Sequence, residues 1–305
     1  MTARGFLGGG FLSGFGSFSE VATNVATLPD ISTPSAPTDG VKVFSSDIAG
    51  QSTLSTIDSG GIPNPLQSSL AHKQWGGWFP QIAGTTLNFM GSANGAAGVG
   101  TYTARTPAAT NLATSLHRIS VVSGAAGADI ATARSTTNGS LMWRGNAAGL
   151  GGFYTSFRFV VADAVLVATA NMFVGLSNQT IATEVATSTR INLIGVGCDN
   201  GDTTLQLYAA GGTAQARVDL GANFPVNTVT TDVYELVLFA APNGSDVKYR
   251  VTRLNTGHTT SGTISVAANL PANTTFMGPH FVRSNGGTAA AVAIDVVGWY
   301  YEANY

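Results

Sequence analysis

The sequence predicts an all-β protein, and three observations support that prediction. Only 10% of the 305 residues are charged, against roughly 25% in typical soluble domains, so exposed helix faces lack their usual Glu and Lys. The C-terminal half alternates apolar and polar residues with a period of two, as half-buried strands do. Asn-Gly turns, which favour tight reversals, separate these stretches at residues 200–201, 243–244 and 285–286.

Residues 1–29 form a Phe/Gly-rich segment that we expect to attach the chain to another protein. Glycines separate Phe6, Phe11, Phe15 and Phe18, and they supply neither stiffness nor neighbouring side chains that would bury the rings. Exposed aromatic rings near a terminus need a partner surface. These four phenylalanines are therefore the predicted anchoring residues, and a flexible tail is the alternative.

Residues 30–66 predict a β-hairpin. Val41–Phe44, Asp47–Gly50 and Thr53–Ile57 lie between a proline-led turn and the glycine turn Asp58–Gly61. A lone hairpin is marginally stable in water, whereas three copies packed around an axis would stabilise one another. The hairpin and the many small residues, which permit close approach of subunits, therefore favour a homotrimer.

Residues 67–146 form an irregular, β-rich middle region. Trp75 and Trp78 stand out in it, because such a pair either stacks on the face of a sugar or fills a core or subunit contact. The rest is rich in Ala, Thr and Gly. Short strands are expected at residues 85–90, 116–122 and 141–143.

Residues 147–305 predict a C-terminal β-sandwich of jelly-roll type. The run 291–301 is the most apolar and is expected to be a central strand. Asp295 within it should face outward or be hydrogen-bonded, because an unpaired buried carboxylate is costly. The alternation predicts a shared core of Phe157, Phe159, Val174, Leu236, Leu238, Tyr249, Val251, Ile294 and Val296.

Charge and hydropathy argue against two classes of partner. The net charge is −2 and the 14 Lys and Arg residues are scattered, so we expect no nucleic-acid binding. Runs of about 18 apolar residues are missing, so we expect no membrane insertion through a helix. Cys198 is the single cysteine, which excludes an internal disulfide, and its apolar surroundings predict a buried structural thiol.

The sequence does not predict catalysis, a cofactor or a metal. Most acids lie in turns, and no pairing can be argued among those inside apolar runs, which are Glu184, Glu235 and Asp295. The turn Asp199–Asp202 lacks the later Glu of a calcium loop and predicts a hairpin instead. The histidines lack metal-ligand or triad spacing and are expected to be structural: His72, His117, His258 and His280.

Several of these stretches together resemble bacteriophage tail fibre proteins. The N-terminal part of the resemblance is Thr33–Phe44 followed by Ser52–Gly61. The C-terminal part, which looks like a fibre-tip domain, comprises Val218–Asn227, Asp232–Val251 and Asn285–Asp295. The resemblance is a pattern of composition and turns, and it supplies no catalytic residues.

The resemblance implies a homotrimeric virion structural protein on the surface of the phage particle. Its N-terminus would join other virion proteins of the tail or baseplate, and its distal loops would bind a host surface glycan or protein. Several weak sites on one particle would give host attachment by avidity. Two alternatives remain: a capsid-attached fibre or decoration protein, and a polysaccharide depolymerase.

Overall fold

The computed structural model divides the chain into two compact units, Met1–Ser69 and Leu70–Tyr305. The division lies close to the boundary predicted at residue 66, whereas none falls at residue 147. The four phenylalanines predicted to anchor the chain and the strand predicted at 85–90 lie outside the residues that the structure describes. The described residues are 20–22, 25–59, 63–66, 74–80, 100–134, 141–180, 183–226 and 228–304.

The described part of the N-terminal unit consists of antiparallel strands. β1 (Glu20–Ala22) pairs with β2 (Val25–Thr27). A second sheet contains β3 (Val41–Ile48), β4 (Gln51–Asp58) and β5 (Pro63–Pro65).

The predicted hairpin is present as the β3–β4 pair. Its two-residue loop consists of Ala49 and Gly50, whose φ angles are 54° and 75°. Positive φ at both positions matches the twist of the flanking strands. The backbone N–H of Gly50 donates to the Asp47 carboxylate over 2.6 Å, and the Ser52 hydroxyl donates to Asp30 over 2.5 Å. These bonds fix the loop and tie the preceding segment to the hairpin.

In the part of the chain that the structure describes, the C-terminal unit contains the remaining strands and three short helical segments. Single helical turns span α1 (Leu112–Ser115), Thr187–Thr189 and Ala267–Asn269. In the described residues, no helix has the length and apolar character needed to cross a membrane. The strands are β6 (Gln74–Trp78), β7 (Thr101–Arg105), β8 (Arg118–Val122), β9 (Ile130–Arg134), β10 (Phe153–Val161), β11 (Asn171–Ser177), β12 (Leu193–Cys198), β13 (Gln206–Ala210), β14 (Gln215–Asp219), β15 (Tyr234–Ala240), β16 (Val247–Arg253), β17 (His258–Ile264), β18 (Gly278–Ser284) and β19 (Ala293–Ala303).

These strands form two antiparallel sheets. Sheet 1 has the order β17-β16-β15-β10-β19-β8-β7, and β6 also pairs with β19. Sheet 2 has the order β14-β13-β12-β11-β18-β9. The chain passes from one sheet to the other at β8–β9, β9–β10, β10–β11, β14–β15, β17–β18 and β18–β19. These crossovers give a jelly-roll-like sandwich, which confirms the predicted fold class.

The core lies between the two sheets. All nine side chains predicted to share a core belong to one buried cluster. Phe157 of sheet 1 contacts Phe281 of sheet 2 edge to face, with ring centroids 5.8 Å apart, and stacks on Trp299 at 6.2 Å. Burying each large apolar side chain contributes about 1.5–3 kcal/mol, so this cluster stabilises the fold strongly.

The sandwich starts earlier in the chain than residue 147, which corrects the predicted boundary. β6, β7 and β8 belong to sheet 1, and β9 belongs to sheet 2. β6, β7 and β9 were not predicted from the sequence. Ala, Thr and Gly dominate this part of the chain, so its alternation of apolar and polar residues is weak. Of the strands expected here, 116–122 corresponds to β8, whereas 141–143 contains a single β-bridge from Met142 to Met277.

β19 is an interior strand, as its apolar sequence predicted. It lies between β10 and β8. Asp295 on this strand is fully buried, and Arg118 compensates its charge with an Nε–Oδ2 distance of 2.5 Å. Arg105 lies further away, at 3.8 Å. Asp295 is therefore paired and not outward-facing, one of the two arrangements predicted for it.

Candidate functional site

The outer face of sheet 1 exposes aromatic side chains. Trp75 and Phe79 are each 68% exposed. Tyr154 on β10 and Tyr300 on β19 lie on the same face, half-buried, with ring centroids 6.2 Å apart. We call these four residues the aromatic face. Large apolar rings that remain exposed on a folded sheet are typical of binding surfaces.

Strand pairing explains why the two tryptophans have different environments. Trp75 lies opposite Glu302 in the β6–β19 pair, and Trp78 lies opposite Trp299. Trp299 belongs to the core, and Trp78 packs against that core. Because the two tryptophans are three residues apart, alternation along β6 puts them on opposite faces. Trp78 therefore fills the core, whereas Trp75 faces outward.

Glycines under the aromatic face hold Phe79 close to the backbone. A Cβ atom at Gly298 would lie 3.1 Å from the Phe79 ring, and one at Gly77 would lie 3.4 Å from it. The ring therefore rests on two positions without side chains. Phe79 was not predicted as a site residue, since the glycine beneath it at position 298 is remote in sequence.

Polar groups surround the rings of the aromatic face. The Tyr300 hydroxyl donates to the Glu302 carboxylate over 2.8 Å, and Arg158 forms an ion pair with Glu235 at 2.8 Å. Burial, followed by the charge of Glu235, raises the pKa of Tyr154 to about 12. The Tyr154 hydroxyl is therefore protonated at neutral pH and available as a hydrogen-bond donor. Flat apolar rings beside such donors and acceptors suit the C–H faces and hydroxyls of a sugar.

The two acids of this face do not form a hydrolytic pair. Glu235 lies opposite Arg158 and Glu302 lies opposite Tyr154, which are four residues apart on β10. At about 3.3 Å per residue, this separates the two positions by about 13 Å along the strand alone. Glycoside hydrolysis uses carboxyl groups roughly 5–10 Å apart. The two acids of this face are thus too far apart for hydrolysis, and the face is suited to binding.

Two other carboxylates line one open cavity of about 520 Å³. Asp129 precedes β9, and Glu184 lies in the connection between β11 and β12. The Asp129 carboxylate accepts a hydrogen bond from the backbone N–H of Ala126 over 2.9 Å. Glu184 accepts one from the Asn171 side chain. The sequence identifies Glu184 as an acid inside an apolar run but does not predict which acid lies near it.

A second, smaller cavity of about 230 Å³ lies beside Cys198, Arg283 and Asp202. Arg283 is fully buried and pairs with Asp163. Burial raises the pKa of Cys198 to about 11, so its thiol is protonated and a weak nucleophile at neutral pH. This confirms the prediction of a buried structural thiol.

The carboxylates of the turn Asp199–Asp202, which was considered as a calcium loop, already interact with protein groups. The backbone N–H of Asp199 donates to Asp202 over 2.8 Å, and Gly201 has a φ of 85°. Arg217 pairs with the carboxylates of both aspartates. Among the described residues, no group of three or more His, Cys, Asp and Glu side chains could hold a metal ion.

No protein-family model and no curated protein sequence matches this chain. Among solved structures, peanut lectin has a TM-score of 0.48 at 14% identity, over 77% of this chain and 98% of that one. A protein of unknown function from Shewanella oneidensis also scores 0.48 at 14% identity, over 78% and 90% of the two chains. Arcelin-5, a lectin-like defence protein from Phaseolus vulgaris, scores 0.46 at 10% identity, over 77% and 100%. All three TM-scores are below 0.5, and no assignment of ligand or activity follows from them.

Proposed function

We propose that this protein is a tail fibre subunit of a phage particle, whose sandwich binds a glycan on the host surface through the aromatic face. The main support is the exposure of Trp75 and Phe79 on the outer face of sheet 1. The sequence resemblance to tail fibre proteins supports the virion assignment. The resemblance predicts host contacts on loops, whereas this proposal assigns them to a sheet.

The proposed mechanism is binding without bond cleavage. The Trp75 and Phe79 rings cover the apolar face of a sugar, while the half-buried Tyr154 hydrogen-bonds one of its hydroxyls. A single contact of this size is weak. In a homotrimer, three copies of the aromatic face would act together, and several fibres on one particle would multiply the effect.

Alanine variants of the aromatic face test the binding proposal. We expect Trp75→Ala and Phe79→Ala each to reduce the affinity of the full chain for purified host-surface glycan by about ten-fold, because each removes a stacking surface. The matched control is Phe276→Ala, since Phe276 is 50% exposed but stacks on Trp143 at 5.0 Å, away from the aromatic face. Equal affinities of all three variants and the parent chain would refute the proposal.

The virion assignment has separate tests. Immunogold labelling of phage particles should place the chain at the tail, whereas labelling of the head would favour a capsid-attached fibre or decoration protein. Deleting residues 1–18, which contain Phe6, Phe11, Phe15 and Phe18, should leave a folded chain that fails to join particles. Normal incorporation of the truncated chain would show that this segment is not the anchor.

The homotrimer is tested by sedimentation of the purified chain. The expected species is three times the 31.1 kDa of one chain. A stable monomer at micromolar concentration would contradict this prediction. It would also mean that a single fibre does not gain avidity from three copies of the aromatic face.

A second candidate function, depolymerisation of a glycan, is favoured by Asp129 and Glu184 alone, because both line one open cavity. Incubation with host capsule and measurement of reducing ends tests it. We expect no release above that of an Asp129→Asn/Glu184→Gln double variant. Release that the double variant abolishes would establish the chain as an enzyme.

A further inference from the structure

The connection between β11 and β12 contains a cavity that the proposed function does not use. Gln215 on β14 donates to the backbone carbonyls of Thr187 and Arg190, over 3.3 and 3.4 Å, which fixes this connection against sheet 2. The cavity measures about 190 Å³. Its polar lining consists of Gln179, Thr180, Thr183, Thr189 and Arg190.

Arg190 differs from the other polar residues of this cavity because it is only 7% exposed, whereas the three threonines are exposed. Its Nη2 donates to the backbone carbonyl of Val185 over 2.8 Å. Its Nε and Nη1 have no hydrogen-bond partner, and Arg190 belongs to none of the ion pairs among the described residues. A buried cation with two unused donors is costly unless something compensates its charge.

The surroundings of Arg190 compensate its charge only in part. Burial lowers its pKa to about 10, although the charges of Glu184 and Asp199 partly oppose this. His280 on β18 is fully buried, and both ring nitrogens lack partners. Burial and the charges of Arg190 and Arg134 lower the pKa of His280 well below 6.5, so its ring is neutral. Arg190 therefore keeps two unused donors and an incompletely balanced charge, near Glu184, whose Oε2 also lacks a hydrogen-bond partner.

We propose that the cavity of the β11–β12 connection binds an oxyanion, a carboxylate or sulfate group, with Arg190 as its counter-charge and the hydroxyls of Thr180 and Thr183 as further donors. Arg190 would contribute charge-assisted hydrogen bonds from its two unused nitrogens, which are the stronger kind. The oxyanion has two sources, an acidic sugar or a free inorganic ion. The proposal is independent of glycan binding at the aromatic face, because the two sites lie on different elements.

Thermal melts of the full chain test the proposal. The probes are glucuronate, sulfate and, as the neutral control, glucose, all at constant ionic strength with chloride as balance. A ligand that binds the folded state raises the melting temperature with its concentration. We expect glucuronate, sulfate or both to raise it, and glucose to leave it unchanged. Stabilisation by glucuronate alone assigns the site to an acidic sugar, and equal stabilisation by sulfate assigns it to a free oxyanion.

Two variants locate the effect. Arg190→Gln should abolish the anion-dependent rise, with a loss of affinity of about ten-fold or more. Arg144→Gln should retain it, since Arg144 is equally buried but donates to the carbonyls of Gly244 and Pro271, at 2.9 Å each. If Arg190→Gln does not fold, a Thr180→Val/Thr183→Val double variant at the exposed rim should weaken the rise instead. A rise that persists in these cavity variants, or no rise with either anion, overturns the proposal.

Discussion

Two buried ion pairs in this sandwich join residues that are far apart in the sequence. Asp295 and Arg118 are 177 residues apart, and Arg283 and Asp163 are 120 apart, yet each pair is buried. The apolar sequence around Asp295 was enough to predict that this carboxylate either faces outward or is hydrogen-bonded. It could not identify Arg118, because no local pattern encodes which strand becomes the neighbour of β19.

A double-mutant cycle on the Asp295–Arg118 pair tests its role in folding. Asp295→Leu and Arg118→Met should each lower the free energy of unfolding by about 3–5 kcal/mol, because each leaves one buried charge uncompensated. The double variant should be less destabilised than the sum of the single variants. Urea unfolding measures all three. Additive losses would mean that Asp295 and Arg118 act separately.

His280 predicts a pH dependence of stability. Its pKa in the folded chain is lowered well below 6.5 by burial, then by Arg190 and Arg134. Below about pH 6.5 the unfolded state therefore binds a proton that the folded state does not. The free energy of unfolding should fall as the pH drops through 6.5, down to the lower folded pKa. Urea melts of His280→Leu should show less of this decline, and an identical decline in both chains would contradict the prediction.

At the scale of elements, glycines allow β11 and β12 to pack. Gly175 and Gly195 lie directly opposite each other. A Cβ atom at Gly195 would lie 2.2 Å from the Val174 carbonyl oxygen and 2.8 Å from the Phe173 ring. Because Gly175 and Gly195 have no side chains, the strand backbone and the Phe173 ring can occupy the space between the two strands.

Gly195→Ala should destabilise the protein, because backbone atoms must move to accept the new methyl group. We expect a loss of about 1–3 kcal/mol in the free energy of unfolding. Gly212→Ala is the matched control, since a Cβ atom there would meet nothing within 4 Å. Comparable stability of the two variants in urea unfolding would show that the close approach at Gly195 is relaxed easily.

Alternation revealed the strands with one exposed face, but not every strand that is covered on both faces. β16 alternates buried Val247, Tyr249 and Val251 with less buried neighbours, which is the pattern that the sequence showed. All seven residues of β18 are buried, so it has no alternation to detect. The exposure of Trp75 was equally unpredictable, because it depends on the pairing of β6 with β19, more than 200 positions further along the chain.

At the scale of the molecule, the sandwich needs strands from before residue 147. We expect residues 70–305 to melt cooperatively, with a circular dichroism spectrum of β-structure. Residues 147–305 alone should not, because their β19 and β18 lose the neighbours β8 and β9. A cooperative transition of the shorter fragment at the same temperature would show that the first strands are dispensable.

The single thiol makes the chain its own reporter of unfolding. Cys198 is 1% exposed, and its β12 lies in the interior of sheet 2. An alkylating reagent can reach the sulfur only when the sheet opens, and each molecule can take up one label, since it has one cysteine. The labelling rate therefore measures the population of opened molecules when closing is faster than alkylation.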